Sequence, residues 1–166
     1  MDSNDELLER FIRQGLAEDV GEGDHTSMAC IRSTRLSKAK LLIKDDGVLS
    51  GVRIASRIFK EIAPAADFEV LIQDGSQVKP GDVAFHITCP TRALLIGERL
   101  ALNIMQRMSG ISTLSALFLQ EVEGLPVKIL DTRKTTPGWR LLEKYAVRMG
   151  GGIGRASCRE RVLCVV

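Results

Sequence analysis

Val127 to Leu130 is a short run of β-forming residues that stops at Asp131-Thr132-Arg133-Lys134-Thr135-Thr136, turns at Pro137-Gly138 and gives way to an amphipathic segment. A strand, a charged loop and a helix in that order form a βα unit, which points to an α/β architecture. Ligands in such folds bind beyond the carboxyl ends of the strands, where the next helix adds free N–H groups and the dipole end that favours negative charge. Arg133 can grip a carboxylate or phosphate through two parallel bonds, and Lys134 supplies a compact point charge. Thr132, Thr135 and Thr136 add hydroxyl donors. The expected guest is a small polyanion. A solvated basic loop is the plainer alternative.

A chain of 166 residues can bury one sound core, or one small domain and the beginning of another. Its net charge of +2 and aromatic content of 4%, with no basic tract interleaved with aromatics, give no footprint for nucleic acid. No apolar run is long enough to span a bilayer, so no membrane partner is expected. The acidic start Met-Asp-Ser-Asn-Asp-Glu does not read as a signal peptide, and a cytoplasmic location is expected. Cys30, Cys89, Cys158 and Cys164 form no Cys-x-x-Cys pair, and the two histidines lie far apart, so no protein-held metal is expected.

Ser3 and Glu6 make a capping box, and Leu8, Phe11, Ile12 and Leu16 follow on one helical face up to Glu18. The carboxylate-rich loop from Asp19 to Thr26 fits no calcium loop; its acids read as turn or capping residues and His25 as structural. Lys38 to Lys44 alternates as a strand with one wet face, and Val52 to Ala63 carries Ile54, Ala55, Ile58, Phe59 and Ile62 as a helix stopped by Pro64. Phe68, Val70 and Ile72 mark another strand. Turns at Asp74-Gly75 and Lys79-Pro80-Gly81-Asp82 lead to a strand from Val83 to Thr88, in which His86 reads as half-exposed.

Thr91 to Met108 reads as a helix, broken at Ser109-Gly110 and resumed from Ile111 to Glu123. Arg99, Asn103, Gln106 and Arg107 form one narrow polar stripe, while Leu94, Leu95, Ala101, Leu102, Ile104, Met105 and Met108 cover most of the rest. Such a stripe faces solvent, a partner or a ligand. Glu98 falls on the apolar side and is expected in an ion pair or hydrogen bond. Beyond the charged loop, Leu141, Leu142, Tyr145, Ala146 and Met149 form a core face, with Arg140, Lys144 and Arg148 on the outside of that helix.

Four blocks in order resemble the quinolinate phosphoribosyltransferase family: Glu98-Arg99-Leu100-Ala101-Leu102-Asn103; Met108 to Thr113; Asp131 to Gly138; and Lys144 to Arg148 with Gly150-Gly151-Gly152. Glu18 to Gly21, Gly23-Asp24, Thr26 and Lys44 to Gly51 are similar to the same family's amino-terminal region. The likeness runs from about Leu7 to Gly152.

The resemblance implies an α+β sandwich N-terminal domain over residues 1–110, followed over 111–152 by the start of an incomplete α/β barrel. It implies a pentosyltransferase of NAD biosynthesis. The ribosyl phosphate of phosphoribosyl pyrophosphate passes to quinolinate, pyrophosphate and carbon dioxide leave, and nicotinate mononucleotide results. It further implies a homodimer with a shared active site, in which Arg99 reaches the partner's site to hold a quinolinate carboxylate. Arg133 and Lys134, helped by Thr132, bind substrate anions from the barrel, and Mg²⁺ accompanies the pyrophosphate. Which residues are catalytic stays open.

The family pattern departs after Gly152, where an Asn-His-Arg run is expected and Gly154, Arg155 and Ala156 stand instead. Residues 153–166 are expected to be a non-native tail, because Ile153 to Val162 resembles the translation of a sequencing-adapter oligonucleotide. A chain shortened in this way is expected to be inactive alone, the family's metal-site acids being among what is missing. Within the class, a molybdenum-utilisation paralogue or a nicotinate phosphoribosyltransferase remains an alternative. Outside it, a non-catalytic dimerisation module fits the shortened chain, whereas a lipoyl-type carrier needs its modified lysine at an exposed hairpin tip, for which Lys44 is a poor candidate.

Overall fold

The structure is a computed structural model that describes residues 3–154. The tail beyond Gly154, with Cys158 and Cys164, lies outside the described residues. In chain order the elements are α1 (Ser3–Val20), α2 (His25–Cys30), β1 (Leu36–Leu42), β2 (Gly47–Val48), α3 (Val52–Ile62), β3 (Asp67–Val70), β4 (Gln77–Val78), β5 (Val83–Pro90), α4 (Thr91–Glu121) and α5 (Arg140–Met149).

β5 is the centre of an antiparallel sheet ordered β1-β5-β3, and β2 pairs with β4 in a second small sheet. Alternation along β5 turns Phe85, Ile87 and Cys89 inward and leaves His86 exposed, 3.5 Å from Glu69. Phe85 stacks on Phe68 with ring centroids 4.4 Å apart, and Phe68 lies 6.2 Å from Phe59 of α3. The strip of Ile54, Ala55, Ile58 and Phe59 on α3 is thereby sealed between sheet and α4. Gly97 on α4 permits that approach: a Cβ there would lie 2.7 Å from the Phe59 ring. The aspartates of the amino-terminal loop take ordinary roles. Asp24 caps α2 by accepting the Ser27 N–H at 3.0 Å, and Asp19 pairs with Arg99.

α4 does not break at Ser109-Gly110. It runs unbroken for 31 residues, about 46 Å at 1.5 Å per residue. A helical glycine costs about 1 kcal/mol, which tertiary packing outweighs here. The Ser109 hydroxyl donates to Ser50 O at 3.1 Å and accepts Ser50 N–H at 3.0 Å, while Met108, Ser112 and Ser115 are buried. The outer face of α4 is wider than the polar stripe alone. Leu95 and Leu102, expected in the packed part, are each 42% exposed beside Arg99, Asn103 and Gln106. Glu98 is exposed too and has no ion pair or hydrogen bond among the described residues, so the expected anchor is absent.

The strand expected over Val127 to Leu130 is reduced to a single bridge, in which Leu130 pairs parallel with Ile153. Val127 is exposed and gives its N–H to Leu125 O in a turn, so only Ile129 and Leu130 enter the interior. Asp131 N–H donates to Ile153 O at 3.1 Å and Ile153 N–H to Ile129 O at 2.9 Å. Chain, helix and parallel return are thus in place: Leu130, α5 and Ile153 form a minimal βαβ unit set against the antiparallel domain.

Candidate active site

α5 fixes the charged loop because α5 itself is fixed. Ser112 on α4 donates its hydroxyl to Ala146 O at 2.8 Å, and Gly150 at the end of α5 lies so close to α4 that a Cβ would meet Ser112 O at 2.2 Å. Trp139 closes the other end, edge-on to Phe11 of α1 at 5.3 Å.

From this platform consecutive side chains reach opposite ends of the loop. Lys144 Nζ donates to Asp131 Oδ1 at 2.6 Å; Asp131 is 3% exposed, and Lys144 is one of its partners. Glu143, also buried, accepts the Thr136 N–H at 3.3 Å and a 2.6 Å bond from Arg107 of α4. Arg107 donates as well to the Thr136 hydroxyl, and its guanidinium lies 4.7 Å from the centre of the Trp139 ring. Within the loop, the buried Thr132 hydroxyl accepts the Lys134 N–H at 3.1 Å. Arg140 donates to the Thr135 hydroxyl at 3.3 Å and to Arg133 O at 3.4 Å.

Arg133 and Lys134 are exposed, and their side chains have no hydrogen-bond or ion-pair partner among the described residues. Two adjacent cations on a tied-down loop can take a carboxylate or phosphate without first breaking an internal pair. Thr132, Arg133 and Lys134 are therefore together, whereas Arg99 stands apart. It lies about 12 Å along α4 from Arg107, is 71% exposed at its side chain and donates to Asp19 Oδ1 at 2.7 Å.

Glu143 is a part of the site that no sequence motif singles out, Asp131 and Arg107 lie in the charged-loop block and the polar stripe without a role assigned there, and Lys144, expected on the outside of its helix, turns in to Asp131. One signal was available for Glu143: with Trp139, Ala146 and Gly150 it falls on a single helical stripe whose other members are apolar or small. No local pattern announces Arg107 as its partner, since 36 residues separate them.

Residues 24–109 match the family model described as quinolinate phosphoribosyl transferase, N-terminal domain, and residues 111–162 match its C-terminal domain. The chain belongs to the quinolinate phosphoribosyltransferase family. A probable nicotinate-nucleotide pyrophosphorylase (carboxylating) of Synechocystis is 38% identical over 147 residues, which are 89% of this chain and 50% of the relative. Quinolinate phosphoribosyltransferase (decarboxylating) 1 of Nicotiana glauca is 41% identical over 146 residues, 87% of this chain and 41% of that one. The crystal structure of NadC from Streptococcus pyogenes superposes with a TM-score of 0.87 at 34% identity, over 93% of this chain and 55% of that one. The chain thus spans about half the length of the curated relatives it matches. The two matched segments of this family member meet inside α4, which runs from one into the other. Among the described residues, no helix is long and apolar enough to cross a membrane.

Proposed function

We propose that this chain carries the anion-binding part of a quinolinate phosphoribosyltransferase site. The observation that carries the reading is the Arg133–Lys134 pair, exposed and with no side-chain partner among the described residues, on a loop held at both ends just beyond the Leu130–Ile153 bridge. In the reaction the pyridine nitrogen of quinolinate takes the ribose carbon of phosphoribosyl pyrophosphate. Pyrophosphate departs, and one ring carboxylate then leaves as carbon dioxide, the electron pair it leaves on the ring carbon taking a proton from solvent to give nicotinate mononucleotide. Both substrates are polyanions, so fixed guanidinium and ammonium groups suit them, and Arg133 offers bidentate contact to a carboxylate. Lys134 supplies charge for phosphate oxygens, and Thr132 shapes the backbone between them. Charge that develops at the ribose and on the decarboxylating ring is managed by positioning of these groups.

The sandwich domain is assigned to residues 1–110 and the start of the barrel to residues 111–152, with α4 shared. Exposed Arg99, flanked on α4 by exposed Leu95 and Leu102, supports a homodimer in which Arg99 enters the partner's site. Asp131 and Glu143, the acids at the loop, each hold a cation, so this donor set does not fit Mg²⁺, which belongs with the pyrophosphate of the substrate. The test is calorimetric titration of quinolinate against wild type and Arg133→Ala. The affinity is expected to fall by about 2 kcal/mol, the scale of a charge-assisted hydrogen-bonded pair. Equal affinity would remove Arg133 from the site, and a complete protein that forms no nicotinate mononucleotide would overturn the activity.

A further inference from the structure

Glu143 and Lys144 are neighbours in α5, yet their side chains end at opposite ends of the loop that presents Arg133 and Lys134. Lys144 holds Asp131 before the cations, and Glu143 holds the Thr136 N–H after them. Glu143 also takes Arg107, so this second hold is anchored on α4 as well as α5. Burying carboxylates is costly even when they are paired, and such pairs contribute little net stability compared with apolar residues of the same shape. Fixing geometry is what they do well. A bidentate or two-cation grip on an oxyanion tolerates little displacement, and the exposed Arg133 and Lys134 side chains have no hydrogen-bond or ion-pair partner among the described residues that would set their direction.

We infer that Glu143 and Lys144 are positioning residues, a two-ended clamp that sets the Arg133–Lys134 pair for an oxyanion; this rests on the reading of that loop as an anion site. Glu143 gives the cleaner test because two effects have opposite signs there. Removing a negative charge beside an anion site should, from Coulomb's law alone, tighten anion binding. Releasing the loop should weaken it.

The experiment titrates inorganic pyrophosphate into the full chain by calorimetry, with the thermal midpoint of each variant recorded alongside. Glu143→Gln is expected to raise Kd about tenfold, ~1.4 kcal/mol. The same change made in an Arg133→Ala, Lys134→Ala background should add nothing further, because the effect passes through those cations. If Glu143→Gln melts too low to titrate, Arg107→Lys loosens the same hold from α4, at a side chain 42% exposed, while keeping the charge, and is expected to weaken binding likewise. Wild type that binds while the variant binds equally or more tightly overturns the clamp and leaves the anion site standing. Wild type that takes up no pyrophosphate overturns both.

Discussion

Tyr145 of α5 donates a 2.9 Å hydrogen bond to Asp74, and the other oxygen of that carboxylate accepts the Val52 N–H at 2.8 Å at the start of α3. One side chain therefore caps a helix of the antiparallel domain and ties down the helix that carries Glu143 and Lys144. Asp74 does locally what a capping residue would do, since Gly51 at the N-cap has no side chain to offer. The loop of the candidate site is thus connected to the sandwich through Tyr145–Asp74 and Glu143–Arg107 as well as through Trp139–Phe11.

The first route has a pH signature. Burial, the Asp74 charge and the hydrogen bond to Asp74 push the Tyr145 phenol from 10.0 up to about 12, with Arg53 opposing. The folded protein then holds the phenolic proton more tightly than the unfolded chain. Its contribution is fully present below pH 10 and is lost as pH rises towards about 12. Tyr145→Phe is expected to cost about 1 kcal/mol at neutral pH, the net worth of one hydrogen bond. Urea unfolding of both proteins from about pH 9 to about pH 12 checks it, with the midpoint of each compared at every pH. The two stabilities should converge as the phenol ionises; a constant gap would show that the phenol does not titrate as its surroundings require.

Gly150 should tolerate no side chain. Its φ of −76° is ordinary, so the obstacle is space alone: a Cβ would meet Ser112 O at 2.2 Å and Ser115 Cβ at 2.7 Å. Backbone on one side and a packed serine on the other cannot yield cheaply. Gly150→Ala is expected to destabilise by about 3 kcal/mol, the upper end for overpacking. Gly110→Ala, where nothing lies within 4 Å, should be neutral or stabilising in the same denaturation assay. Equal losses at both positions would mean that α5 does not pack on α4 as described.

Periodicity made most helices and strands legible, because Ile54 to Ile62 and Phe85 to Cys89 carry their burial pattern locally. The βα order around Arg133 was legible for the same reason, and its chemistry followed from residue type. What escaped depends on distant partners. Val127 to Leu130 has strand-forming residues, but pairing needs a neighbour, and among the described residues only Leu130 has one. Ser109-Gly110 looks like a break until Ser50 and α5 hold the helix straight. Arg99 and Asp19 lie 80 residues apart, and nothing near either residue signals their bond.

That bond makes Arg99 a test of the shared site. An exposed ion pair is worth at most about 1 kcal/mol, so Arg99→Ala should leave the fold and its melting temperature nearly unchanged. If Arg99 serves only to hold Asp19, activity of the complete protein should survive equally well. If it enters the partner's site, the loss is large and can be repaired between subunits. Arg99→Ala and Arg133→Ala proteins, each inactive alone, would form heterodimers with one site holding both arginines and one holding neither. Random mixing at equal amounts makes half the dimers heterodimers, so about a quarter of wild-type activity should return. Nicotinate mononucleotide formation after mixing and subunit exchange measures it. Persistent inactivity, with exchange verified by native mass spectrometry, would place Arg99 outside any shared site.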